Sequence, residues 1–364
     1  MPEDIFGDLM LIRKGGPELT RGGGPTTVEP VATREEWAIK AQALRDIFLQ
    51  TLGEDPRIKC PLSVKVEYEK DQGDHVERRI SYLVARDERV ALLALIPKSV
   101  RRRAPAVLCI HPTQADGKEE TVGRGSRAGT PEGENRAYGL HLVRRGYVTF
   151  SPDLLGSGER IYPGLKAFDN TPLYEKYPRW SGTGKDLWDL RRALDVLARI
   201  EEVDRTRIGS IGHSQGGGLT GYLMAVDERV KVGVSNCGMW PLRISKNPFN
   251  ICRTGWWIGR PALRPFAWAG KPMPIDYHEL LALSAPRPFM NISALNDCQW
   301  KAEEESFTRP AWENLEMNVK KVYALLGAPG GYRQTLHVRG HDFPNEMRDA
   351  AYAFLDEALK PERP

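Results

Sequence analysis

The stretch RIGSIGHSQGGGLTGYLMAVDERV, residues 207–230, decides how the chain is read. Ile208 to Ile211 is a short apolar run of the kind that forms a buried strand. Leu219, Tyr222, Leu223 and Val226 recur with the spacing of one helix face. Between them stand Gly212, His213, Ser214, Gln215 and Gly216, which leave almost no room to turn. A chain that passes this sharply from strand to helix presents the turning residue at the strand's end. It also presses the residues two before and two after it together, so both must be small, the G-x-S-x-G pattern. The helix that follows aims its free N–H groups at the same point, where negative charge is stabilised. Ser214 is therefore the candidate nucleophile, with Gly212 and Gly216 forming its elbow.

Outward from this point the periodicity alternates. AVLCIH (106–111), YVTFSPD (147–153), RIGSIG (207–212), VKVGVSNC (230–237) and RPFMNIS (287–293) are short apolar strands, and a last strand lies near 334–338. Helical patterns at 135–145, 184–200, 215–226 and 306–326 fall between them, and a C-terminal helix starts near 344. Strand alternating with helix predicts an α/β fold, a mostly parallel sheet covered on both faces. Ligand sites of such sheets lie at the carboxyl ends of the strands. Three leading strands, LSVKVEYEK, VERRISYLVA and RVALLALIPK, precede this pattern, and the first two alternate polar and apolar residues. A helix is predicted from TREEW, with Thr33 as N-cap, Glu36 completing a capping box and Gly53 ending it.

The organisation expected is a loose Gly- and Pro-rich arm over residues 1–32 and one domain over 33–364, with residues 33–100 its leading helix and strands. Two segments fit neither period: 159–183, and 239–274, which is rich in Trp and Pro and reads as a lid-like insertion.

The chain has 364 residues, 41% hydrophobic and 27% charged, with 52 basic against 48 acidic side chains and a net charge of +4. That balance argues against nucleic acid as a partner, and the one basic cluster, residues 101–103, reads as an inter-strand turn. Five cysteines, at 60, 109, 237, 252 and 298, show no paired spacing, so a reducing, cytoplasmic setting is expected. Cys109 and Cys237 read as small buried hydrophobes. No run approaches the ~18 apolar residues of a membrane span, so no membrane partner is expected.

Several signals fail. GTGKD at 182–186 lacks the Gly and the Ser or Thr that a phosphate loop needs at 179 and 186. GSGERI lacks the third glycine of a dinucleotide fingerprint. There is no H-E-x-x-H and no C-x-x-C, so neither a metal nor a cofactor is expected.

IGHSQGGG followed by DERVKVGVSNCG, together with GYVTFSPDLLGSGER, DLRRALDVLARIEEVDRTRIGSIGHS and APRPFMNISALND, resembles the α/β-hydrolase superfamily. More narrowly, the chain is similar to its dienelactone hydrolase and acetyl xylan esterase-like branch, over roughly 33–360. The resemblance implies an eight-stranded type of sheet and a Ser-Asp-His triad in that chain order. A serine needs a base to take its proton and the base needs a carboxylate to orient it. Asp297, after a late strand, is the candidate acid, and His341, after the last strand, the candidate base. Asp342 would have to bend back on its neighbour, Asp276 is a remote alternative, and His337 reads as a packed side chain.

The oxyanion hole is expected from the N–H groups of Gln215 and of the loop after AVLCI. There the chain reads His111-Pro112-Thr113; proline has no N–H, which leaves Thr113 as the second donor. His111, His213, Trp240, Trp256 and Trp257 are the candidate pocket residues. Glu159 and Arg160 are candidates for a buried ion pair beneath the lid. The function expected is a serine esterase acting through an acyl-enzyme on a small-molecule ester, a short-chain, acetylated-carbohydrate or aryl ester. A serine peptidase of the prolyl oligopeptidase type and a non-catalytic binding protein of the same fold are the alternatives. The arm could also clasp a second copy in a homo-oligomer.

Overall fold

The computed structural model describes residues 7–14, 27–100, 102–243, 245, 249–252, 257–297 and 308–359. Within the segment expected to be a loose arm, β1 (Leu11–Lys14) and β2 (Thr27–Pro30) pair antiparallel. Leu9 beside them is fully buried. Lys40 Nζ donates to the Leu11 carbonyl at 2.6 Å, tying this hairpin to the helix Arg34–Thr51. These described parts of the arm are packed rather than loose. Thr33 and Glu36 form the expected capping box on that helix.

The central sheet has nine strands: β3 (Lys65–Asp71), β4 (His75–Ala85), β5 (Glu88–Pro97), β6 (Ala104–Ile110), β7 (Val148–Pro152), β8 (Val203–His213), β9 (Val232–Asn236), β10 (Phe289–Ala294) and β11 (Tyr332–His337). Their order is β3-β4-β5-β7-β6-β8-β9-β10-β11. β3, β4, β5 and β7 are joined by antiparallel pairings; from β7 to β11 every pairing is parallel. Every strand-like run of the sequence enters this sheet. The eight-stranded type is exceeded by one because β3, mostly exposed, adds an edge.

β6 shows how both faces come to be covered. All seven of its residues are buried. Ala106, Leu108 and Ile110 belong to one apolar core, which includes Phe48, Leu190 and Leu223 of the helices Arg34–Thr51, Gly182–Leu197 and Gln215–Val226. Val107 and Cys109 point to the other core, with Leu142 and Leu355 of the helices Tyr138–Arg144 and Asn345–Leu359. Alternate side chains of a strand face opposite ways, so a strand covered on both sides must be apolar throughout. The parallel strands β6 and β8 to β11 then deliver their carboxyl ends to one rim.

The two aperiodic segments meet above that rim. Asn170 donates from Nδ2 to the Ile258 carbonyl at 2.6 Å and accepts the Ile258 N–H at 3.0 Å. Asp276, 1% exposed, caps the helix Tyr277–Ala282 and accepts the N–H groups of Leu242 and Arg243 at 2.7 and 2.8 Å. This carboxylate clamps both ends of the larger insertion together, which removes it as a triad alternative.

Candidate active site

Ser214 sits at the end of β8 with φ 55° and ψ −120°, a conformation an L-residue adopts only when its surroundings enforce it. Two glycines allow it. A Cβ on Gly212 would stand 2.2 Å from the carbonyl carbon of Gly216, and one on Gly216 would stand 2.0 Å from the carbonyl oxygen of Ile110. The elbow is held from β9, where the Asn236 carbonyl accepts the Ser214 N–H at 2.8 Å.

His341 lies in the loop after β11 and Asp297 in the loop after β10. Asp297 Oδ2 is 2.7 Å from His341 Nδ1, with the carboxylate side chain 2% exposed and the imidazole 13%. Ser214 and His341 line the same two cavities, one of about 120 Å³ and one of about 290 Å³. The Nδ1–H of His341 donates to Asp297, which leaves Nε2 as the ring nitrogen free for proton transfer. Asp342 turns elsewhere, its Oδ2 accepting from Asn135 Nδ2 at 2.6 Å. His337 is buried in β11, and its Nδ1 accepts the Arg339 N–H.

Gln215 opens the helix Gln215–Val226, so its N–H has no intrahelical acceptor. Thr113 Oγ1 donates to Gln215 Oε1 at 3.2 Å, which brings the two candidate oxyanion residues side by side. Gln215 lines the smaller cavity and Thr113 the larger.

The candidate pocket residues separate. Trp240 and Trp257 line the smaller cavity, and Trp257 also lines the larger, with its ring 4.9 Å from that of Phe168. Trp256 lies outside the described residues. His111 lines neither cavity. It is fully buried, its Nδ1 bonds the Pro112 carbonyl at 2.6 Å, and its Nε2 accepts the Leu154 N–H at 3.0 Å. His111 therefore holds the turn of the Pro112-Thr113 loop instead of forming a pocket wall, and burial holds its ring neutral.

His213 lines the larger cavity, as expected, although it is fully buried, and its ring packs against that of the candidate base, centroids 4.8 Å apart. Asn236 Nδ2 donates to its Nδ1 at 2.7 Å. Burial, reinforced by the neighbouring His341, pushes its pKa well below the ordinary value, so no second positive charge competes beside His341.

Glu159 and Arg160 do not pair with each other, and of the two only Arg160 is buried, the Glu159 side chain being 45% exposed. Glu159 meets Lys118 at 2.7 Å and also pairs with Arg79, while Arg160 meets Glu88 and Asp189, each at 2.7 Å. Successive residues of the turn Gly158–Arg160 point to different partners.

Sequence reasoning missed Asn236, Cys237 and Arg260. Cys237, at φ 51°, lines the smaller cavity, and burial with the Asp297 carboxylate beside it pushes its thiol pKa far up. It is buried, as expected, and in addition it borders the cavity. Cys237, Asp297 and His341 present ligand atoms all within 4.8 Å of one another. Two of the three, Asp297 and His341, already bond each other. The only hint in the sequence was that VSNCG ends a strand at the site's rim.

The sheet order, the strained elbow and the parallel rim define an α/β-hydrolase. An abhydrolase family model matches residues 25–169, and a model described as glucuronyl esterase, fungi, matches residues 172–327. The putative hydrolase YtaP of Bacillus subtilis is 26% identical over 88% of this chain and all of its own. The carbohydrate esterase MZ0003, from an unknown prokaryote, is 26% identical over 58% of this chain and 49% of its own length. Among solved structures, a glucuronoyl esterase from Solibacter usitatus superposes with a TM-score of 0.70 at 19% identity, covering 90% of this chain and 94% of that one. The chain has the α/β-hydrolase fold. The matched models are described as an abhydrolase family and a glucuronyl esterase family, not as dienelactone hydrolases.

Proposed function

We propose that the protein hydrolyses carboxylic esters borne on carbohydrates, with Ser214 as nucleophile, His341 as general base and acid, and Asp297 as the group that orients His341. The observation that carries this reading is the convergence on one cavity of a serine on a strained elbow and an imidazole tied to a buried carboxylate. Ser214 Oγ adds to the ester carbonyl as its proton passes to Nε2 of His341. The imidazolium, stabilised by Asp297, returns that proton to the departing alcohol oxygen as the C–O bond breaks. Water then repeats the cycle on the acyl-enzyme: His341 takes its proton, the acid leaves, and Ser214 regains its hydrogen.

The N–H groups of Gln215 and Thr113 receive the oxyanion, a contribution of roughly 2.7–4 kcal/mol for each donor. The carbohydrate substrate is supported by two aromatic walls, Trp240 and Trp257, and by the esterases the chain is similar to.

The test is Ser214→Ala, assayed on 4-nitrophenyl acetate and on an acetylated xylo-oligosaccharide. Both turnovers are expected to vanish, together with covalent labelling of the protein by a fluorophosphonate. Retained turnover in the variant overturns the mechanism. An active wild type that hydrolyses only the nitrophenyl ester, across acetylated sugars of several kinds, overturns the carbohydrate assignment.

A further inference from the structure

Arg260 lines the cavity that holds Ser214, and it is only 2% exposed. Its guanidinium donates from Nη2 to the Tyr222 hydroxyl at 3.0 Å and sits 5.0 Å from the centre of that ring. The groups that bear most on its charge are two phenols and a thiol, those of Tyr222, Tyr277 and Cys252. No carboxylate among the described residues pairs with it. Arg160, equally enclosed, shows the usual arrangement, with Glu88 and Asp189 both at 2.7 Å. A fully buried arginine without an acid is rare, because taking the charge out of water is costly and a neutral phenol repays less of that cost than a carboxylate does.

Asp186, the other charge-bearing group of this cavity besides His341, is engaged elsewhere. It accepts the Leu155 N–H at 2.8 Å and faces Arg160 and Lys185. Arg260 therefore offers most of a planar donor fork to whatever fills the cavity, a geometry matched to a carboxylate. A monoanion balances it; a dianion would leave charge in excess. Trp240 and Tyr277, ring centres 4.8 Å apart, line the same cavity and supply flat apolar surface for a sugar ring.

We propose that Arg260 is a substrate-binding residue that receives a free carboxylate, so that the ester cleaved at Ser214 is carried by an acidic sugar, an aldouronate residue whose own carboxylate remains ionised. This rests on the esterase reading for the ester, but the carboxylate contact does not need the nucleophile. It is measured in the Ser214→Ala protein by tryptophan-fluorescence or calorimetric titration. The probes are sodium D-galacturonate and sodium D-glucuronate, each against its parent hexose, which differs only at C6.

At least one uronate is expected to bind tenfold or more tightly than its hexose. Adding Arg260→Gln is expected to reduce that preference below threefold, while adding Arg260→Lys retains a larger share of it. Near-ultraviolet circular dichroism reports whether each variant is folded; if the glutamine variant is not, the lysine variant and the uronate–hexose comparison decide. Equal binding of uronate and hexose, including no binding of either, overturns the proposal, as does a preference that survives Arg260→Gln. Hydrolysis that persists in Ser214→Ala would sink the esterase mechanism alone, since the binding comparison is made without turnover.

Discussion

Asp297 Oδ2 and His341 Nδ1 stand 2.7 Å apart although 44 residues separate them, because β10 and β11 are parallel neighbours whose following loops share one rim. The carboxylate is nearly enclosed and the imidazole is its partner. Asp297→Asn keeps the volume but offers the ring an amide that favours the wrong tautomer. A fall of about 10⁴ in kcat on 4-nitrophenyl acetate is expected, with the thermal midpoint within a few degrees of wild type. A loss under tenfold would remove Asp297 from the mechanism.

The elbow glycines predict a folding defect. At Gly216 a methyl group would stand 2.0 Å from the Ile110 carbonyl oxygen, and neither is on a flexible side chain. Gly216→Ala is expected to cost about 3 kcal/mol or more in urea unfolding and to abolish activity. A variant that unfolds with the wild-type midpoint would mean that β6 and the helix behind Ser214 can separate at little cost.

Lys118 and Asp153 predict a second one. Their side chains are 3% and 0% exposed, and Nζ lies 2.6 Å from Oδ2. Lys118→Met leaves the buried carboxylate without its cation, held only by the N–H groups of residue 118 and Glu159, and is expected to destabilise the protein by about 3–5 kcal/mol. Adding Asp153→Asn should recover part of that loss. A double variant no more stable than Lys118→Met would show that the charge is not the cause.

Asp186 carries a pH signature. Burial, only partly offset by the Leu155 N–H and Arg160, raises its pKa to about 7. The unfolded chain releases this proton near pH ~3.9, so between that value and about 7 the folded state binds more protons. Stability contributed by the group is therefore full at low pH and eroded as pH rises through 7. Asp186→Asn keeps the oxygen that accepts the Leu155 N–H and removes the charge. Its stability relative to wild type, from urea unfolding, is expected to improve by roughly 2–3 kcal/mol between pH 5 and pH 8. A constant difference across that range would count against an ionising Asp186.

Much of this architecture is legible in the chain. Strand and helix periods are set by neighbouring residues, so all nine strands of the sheet and the capping box at Thr33 could be read in order. The elbow is equally local, because Gly212, Ser214 and Gly216 constrain one another within five residues. The order Ser214, Asp297, His341 needed only the rule that sites sit after strand ends. Side-chain partners across the fold carry no such imprint. Glu159 and Arg160 are adjacent yet diverge to Lys118 and Asp189, and His111, Pro112's neighbour, faces inward instead of into the cavity. The packing of β9 against β10 brings Cys237 beside Asp297. The larger insertion has no period to read, so an arginine without an acid could not be told there from its neighbours. Local spacing specifies the backbone's path because each residue meets its neighbours first. Which charges meet, and which one stays unmatched in a pocket, depends on distances that exist only once the sheet has closed its rim.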